Sequence, residues 1–409
     1  MPPILAHPLE EIMDFMSSEW PVSGVPHRIR RIQLNKICDI ADIARNDPDV
    51  VKLWIGEGDL TTPPFIRRAA IDALEAGQTR YTYSHGAPAL REALSRYHKR
   101  HFSVDVPADR FSVTTGGVQA IMQAFQAILQ PDDEVVVPRP AWPNLVEIIG
   151  ILGGKVVSVP FSVTDSGRFD LSLADVFNAV TPKTRAIAIN SPCNPTGWIM
   201  SSADMRAVLD FTREKGLWLI SDEVYSHFTY GTGVAPSFLQ IAAQKDRLIV
   251  TNTFSKNWCM TGWRMGWLVF PAGMSTIFDN LSQYNTTGVS TFSQYGGIAA
   301  LDEGDMFISE LVTRCAKARD IICTALERFN NVRVRRPDGT FYVFFSIAGM
   351  HDSYEAALRI LKQARVGVAP GSAFGSDGEG FLRICFAVDP AVIQEGADRL
   401  ARIVRSLSN

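Results

Sequence analysis

The chain has 409 residues, with 46% hydrophobic residues, 20% charged residues and a formal net charge of −3. That balance excludes disordered and fibrous classes, and a chain this long needs no disulfide or metal staple to hold a core. The slight excess of acid argues against nucleic acid as the main partner.

At roughly 150 residues per domain, two to three domains are expected, or one large and one small. Cysteines at 38, 193, 259, 315, 323 and 385 form no CxxC pair, and the seven histidines form no HExxH. Scattered thiols suit a reducing compartment and no structural zinc. The opening residues show no basic stretch leading into an apolar one, as a secretory leader would. No apolar run approaches the ~20 residues that span a bilayer. A cytoplasmic protein without a membrane partner is expected.

In chain order, Pro21, Gly24 and Pro26 break a first helical stretch, and a helix is predicted from about 32 to 44. A strand follows at 50–55, then helices at 65–77 and 90–101. Short apolar strands are predicted at 111–115, 134–138, 185–190, 218–222 and 248–251, with helices between them, one over 118–129. Such alternation implies a mostly parallel sheet covered on both faces. After about 300 the texture changes: a long helix over 306–329, strands near 332–335, 339–347 and 380–386, and helices over 354–364 and to 403. This reads as a smaller α+β unit, joined by the N-terminal segment.

Five segments carry candidate chemistry. Thr115-Gly116-Gly117-Val118 lies between a strand and a helix. Glycines there let a phosphate approach the free N–H groups of a helix start, although a plain tight turn explains the pattern equally well. Ser191-Pro192-Cys193-Asn194-Pro195-Thr196-Gly197 follows a strand, where open α/β sheets place ligands. Asp222 ends a buried strand and needs a cationic or hydrogen-bonding partner, or else caps a helix; Tyr225 follows three residues on. Lys256 sits among hydroxyls and aromatics, eight residues before Arg264. Desolvation and a nearby cation would lower its pKa, as a Schiff-base lysine requires; surface charge is the plainer alternative. Arg383 lies inside an apolar strand, where its fork fits a carboxylate, unless that face is simply exposed.

Taken together and in this order, Ser-Pro-x-Asn-Pro-Thr-Gly, Ser-Asp-Glu-x-Tyr, Ser-Lys and Gly-Trp-Arg-x-Gly resemble the class I aminotransferases among the fold type I pyridoxal-phosphate (PLP) enzymes. The resemblance runs from about 53 to the C-terminus. It implies a large domain (56–300) with a seven-stranded, mostly parallel sheet between helices, and a small α+β domain from 1–55 and 301–409. It implies that Lys256 forms the internal aldimine with PLP and moves the substrate proton, and that Asp222 pairs with the pyridinium nitrogen. Asn194 and Tyr225 would bond the phenolic oxygen, and Trp142 would stack on the ring. Gly116, Gly117, Val118, Thr253 and Arg264 would hold the phosphate, with Tyr81 reaching it from the neighbouring subunit of a homodimer. Arg383, helped by Asn194, would clamp the substrate carboxylate, and Gly56 would line the substrate site.

The activity implied is transfer of an amino group from an L-amino acid to a 2-oxo acid such as 2-oxoglutarate. A β-lyase or decarboxylase on the same fold is the alternative. Some bacterial aspartate-type relatives carry lysine where this chain has Val118, so an apolar or aromatic donor is as well supported as aspartate. A PLP-sensing regulator would need a basic DNA-binding module, yet the first 55 residues carry 6 basic and 8 acidic side chains.

Overall fold

The computed structural model describes residues 24–231 and 233–408. Pro21 and the first predicted helical stretch lie largely outside them. Residues 1–34 and 35–409 form two compact units. In the first, the described segment holds one turn of helix, His27–Arg30, after Pro26.

The second unit is built on a seven-stranded sheet. Its order is Phe111–Thr114, Gly266–Val269, Leu248–Thr253, Trp218–Asp222, Thr184–Asn190, Glu134–Arg139, Lys155–Pro160. Gly266–Val269 runs antiparallel to both neighbours, and the remaining pairs are parallel. Side chains alternate between the two faces of a strand, so the central strands feed two cores. Val135, Val137, Ala186, Ala188, Ile220 and Ile249 pack with the helix Gly117–Gln126 on one face. Val136, Ile187, Ile189, Leu219 and Val250 join the larger core on the other. This two-sided burial is why these strands read as continuous apolar runs.

A second, antiparallel sheet has the order Val332–Arg333, Tyr342–Ile347, Phe381–Cys385, Ala369–Pro370. The long helix Asp305–Leu326 and the closing helix Pro390–Ala401 follow the predicted pattern. Val51–Lys52 pairs in parallel with Val366–Gly367, which ties the early chain to the late chain.

Several boundaries differ from the sequence reading. The helix expected from about 32 starts at Lys36, because the Asn35 side chain accepts from the Ile37 N–H at 3.1 Å and caps it there. The strand expected over 50–55 is only Val51–Lys52. The 248–251 strand extends to Thr253, and the edge strand Lys155–Pro160 and the antiparallel strand Gly266–Val269 were not predicted as strands. Among the described residues no helix is long and apolar enough to cross a membrane, and no group of acid, histidine and cysteine side chains could hold a metal.

Candidate active site

The strand register assembles the site. Asn190 stands opposite Asp222, and Asp222 opposite Thr251, two residues before the end of its strand, so the C-terminal ends of three central strands come together. The Asn190 amide donates to the Asp222 backbone carbonyl at 3.0 Å, and its Oδ1 accepts from the Asn194 N–H at 2.8 Å. The Ser191-Pro192 and Asn194-Pro195 peptides are both cis in the loop that carries Asn194.

A cavity of about 330 Å³ opens there. Asp222, Tyr225, Asn194 and Lys256 line it, as do Gly117, Val118, Thr253 and Arg264. Trp142, Gly56 and Arg383 complete the predicted set within it. Two predicted residues lie off its wall. Gly116 precedes the lining residue Gly117 but is not itself on the wall, and Tyr81 is 91% exposed and lines none of it.

Gly116 has φ of 95° and opens the helix Gly117–Gln126, leaving that helix start without a side-chain cap. A Cβ on Gly116 would come within 2.5 Å of the Arg264 Nη2, and one on Gly266 within 2.7 Å of the Gly116 carbonyl carbon. Arg264, in the left-handed region at φ 51°, donates to the Thr261 carbonyl at 2.7 Å. Thr253 caps the short helix Phe254–Asn257, accepting from the Ser255 N–H at 3.1 Å. A helix start, a glycine turn and an arginine thus converge on one corner, which suits an anion.

Lys256 sits in that short helix, and its Nζ donates to the Gly56 carbonyl at 2.7 Å. Burial, with the cations Arg383 and Arg264 adding to it, lowers its pKa to about 8. The free amine is therefore far more populated near neutrality than on an exposed lysine. Asp222 is 3% exposed, and its Oδ1 has no hydrogen-bond partner among the described residues. Burial raises its pKa to about 7. That oxygen is left without a donor to complete it among the described residues.

The folded protein holds a proton on Asp222 that the unfolded chain, with a carboxyl near ~4, releases. Its contribution to stability is complete below about pH 4 and is lost as pH rises through about 7. Asp222→Asn removes that titration. In protein stripped of small molecules, the melting temperature of the variant relative to wild type should climb from about pH 4 to 7 and then level. A difference that stays flat over that window contradicts the burial argument.

Arg383 is 2% exposed, so the exposed-face alternative fails. Its guanidinium donates to Asn194 Oδ1 at 3.0 Å and to the Trp54 carbonyl, and lies 4.2 Å from the Tyr342 ring centroid. Its buried Nε has no partner among the described residues. Among the described residues its hydrogen-bond partners are neutral, and a carboxylate entering the cavity would give it a counter-ion there.

Sequence reasoning missed several wall residues. Tyr342 arrives from the second sheet, and Asn35, Ile37 and Cys38 from the first helix of this unit. Glu57 also lines the cavity and accepts from the Thr261 hydroxyl. Nothing local marks them, since each is brought in by tertiary packing.

The sequence profile of the family described as Aminotransferase class I and II matches residues 48–400. An aspartate aminotransferase of Pyrococcus abyssi is 34% identical, over 92% of this chain and 97% of that protein. Aromatic-amino-acid aminotransferase 2 of Thermococcus litoralis is 33% identical, with the same coverage, 92% and 97%. Among solved structures, a Thermus thermophilus aspartate aminotransferase mutant superposes with a TM-score of 0.86 at 31% identity, covering 93% of this chain and 99% of that one. Motifs, sheet order and relatives agree, so this chain belongs to the class I and II aminotransferases, with the fold type I architecture, and transfers an amino group from an amino acid to a 2-oxo acid.

Proposed function

We propose that the cavity binds pyridoxal 5′-phosphate and transfers the amino group of an apolar or aromatic L-amino acid to 2-oxoglutarate or another 2-oxo acid. The observation that carries the cofactor reading is the buried, unpartnered Asp222 Oδ1 in the same cavity as Lys256. A pyridinium N–H would supply the missing partner, and the Gly116–Gly117 turn with Thr253 and Arg264 fits a phosphate. When bound, the cofactor ring withdraws the electron pair left on the substrate Cα as its proton departs.

The chain's own groups would do the rest. Arg383 and Asn194 would fix the substrate carboxylate, and with it the direction of the Cα–H bond. The Lys256 amine, once free, would take the Cα proton and return it elsewhere. Trp142 would cover one ring face, and Asn194 and Tyr225 would bond the phenolic oxygen.

The division into a large domain (56–300) and a small one (1–55 and 301–409) belongs to the same proposal. So do a cytoplasmic location and a homodimer in which Tyr81 completes a neighbouring subunit's phosphate site; its 91% exposure in the single chain is consistent with that. The small domain, which carries Arg383, would close on bound substrate as the clamp engages the carboxylate.

The donor reading rests on Val118, Ile121 and Ile37, which present apolar surface to the cavity. Steady-state kinetics should give phenylalanine or leucine a kcat/KM about tenfold or more above aspartate. Val118→Lys should narrow that gap by raising the value for aspartate. A wild-type preference for aspartate would overturn the donor assignment.

A further inference from the structure

Tyr342 has three contacts that converge on the site. It is 1% exposed, in the strand Tyr342–Ile347. Its hydroxyl lies 2.8 Å from the Tyr225 hydroxyl. Its ring centroid lies 4.2 Å from the Arg383 guanidinium carbon. The sheet register explains that stacking: Arg383 stands opposite Phe344, so Tyr342 is its diagonal neighbour on the same face. Finally, a Cβ on Gly56 would lie only 2.0 Å from the Tyr342 hydroxyl oxygen, so glycine at 56 leaves room for that hydroxyl. The Gly56 carbonyl in turn accepts from Lys256.

We propose that Tyr342 is a positioning residue: its hydroxyl orients the Tyr225 hydroxyl while its ring seats the Arg383 guanidinium, so that clamp and tuning group are held as one unit. The inference rests on the cofactor reading above. A hydroxyl that accepts from one neighbour is a stronger donor to the next, because linked hydrogen bonds polarise one another. Tyr342 donating to Tyr225 leaves the Tyr225 proton for the cofactor's phenolic oxygen. The ring acts separately. A cation over a desolvated aromatic face is favoured, and the flat contact fixes the plane in which the fork meets a carboxylate.

The two functions separate by variant. Tyr342→Phe keeps the ring and removes the hydroxyl; Tyr342→Leu removes both. The first readout is the pH midpoint of the visible band of PLP-loaded protein. Tyr342→Phe should raise it by about half to one pH unit, since Tyr225, no longer polarised by Tyr342, donates less strongly to the phenolic oxygen and stabilises its ionised form less. Tyr225→Phe should raise it at least as far, and the double variant no further than Tyr225→Phe alone, because the Tyr342 hydroxyl acts through Tyr225. The second readout is calorimetric binding of 3-phenylpropionate, a carboxylate with no amino group to react. Tyr342→Phe should bind it within about twofold of wild type, and Tyr342→Leu about tenfold more weakly.

A Tyr342→Phe midpoint equal to wild type overturns the hydroxyl role, and additive shifts in the double variant do the same. Undiminished 3-phenylpropionate binding by Tyr342→Leu overturns the ring role; should that variant not fold, Tyr342→Met serves in its place. Failure of the cofactor reading would look different, because wild-type protein would then show no Lys256-dependent band at all.

Discussion

Lys256→Ala should lower kcat for amino transfer by about 10⁴-fold or more while leaving the melting temperature within a few degrees of wild type. Proton transfer by a placed side chain contributes about 10²–10⁴-fold by itself, and loss of the covalent attachment point adds to that. The structural cost is small by comparison. Among the described residues Lys256 makes one hydrogen bond, to the Gly56 carbonyl, and it lines the cavity. Its pKa near 8 comes from burial, so removing it takes away a desolvated amine that the fold strains to keep. Stopped-flow and steady-state assays with a keto-acid readout measure the loss. A variant retaining a tenth of wild-type kcat would mean that another group moves the proton.

Arg383→Ala should reduce kcat/KM by about 10³-fold, with most of the loss in KM, whereas Arg383→Lys should lose about 10²-fold. Removing one partner of a buried, hydrogen-bonded charge pair typically costs 2–5 kcal/mol, and each 1.4 kcal/mol is about tenfold. Lysine keeps the charge but not the planar fork that bonds Asn194 Oδ1 and the Trp54 carbonyl together. The comparison therefore separates charge from geometry. Equal losses for the two variants would show that the fork is irrelevant and the clamp purely coulombic. The cofactor's visible band should survive in both, because Arg383 is assigned to the substrate carboxylate and Lys256 is left in place.

The sequence made the centre of the fold legible and its margins less so. Trp218–Asp222 was predicted to the residue, because a strand buried on both faces is an unbroken apolar run closed by a polar residue. Lys155–Pro160 was missed for the opposite reason. It is an edge strand, largely open to solvent, and it carries Ser158 and ends in Pro160. Gly266–Val269 was not predicted as a strand, because nothing in a four-residue strand announces that it runs against its neighbours.

The site shows the same division. Asp222 ends a strand, and Lys256 and Asn194 follow within four residues of strand ends, inside dense local motifs, so spacing pointed to them. Arg383 was visible as a charge in an apolar strand, and its burial removes the exposed-face alternative. Tyr342 and Ile37 were invisible. A tyrosine in Tyr-Val-Phe-Phe is an ordinary strand former, and an isoleucine on a short amphipathic helix is ordinary core. Only packing between distant segments turns them toward the cavity.

The most direct measurement mixes PLP-loaded protein with phenylalanine in the absence of any 2-oxo acid. The visible band should convert fully, one keto acid should appear per subunit, and no ammonia should be released. Ammonia released over many turnovers with the band unchanged would contradict amino transfer at this site, and so would conversion that persists undiminished in Lys256→Ala.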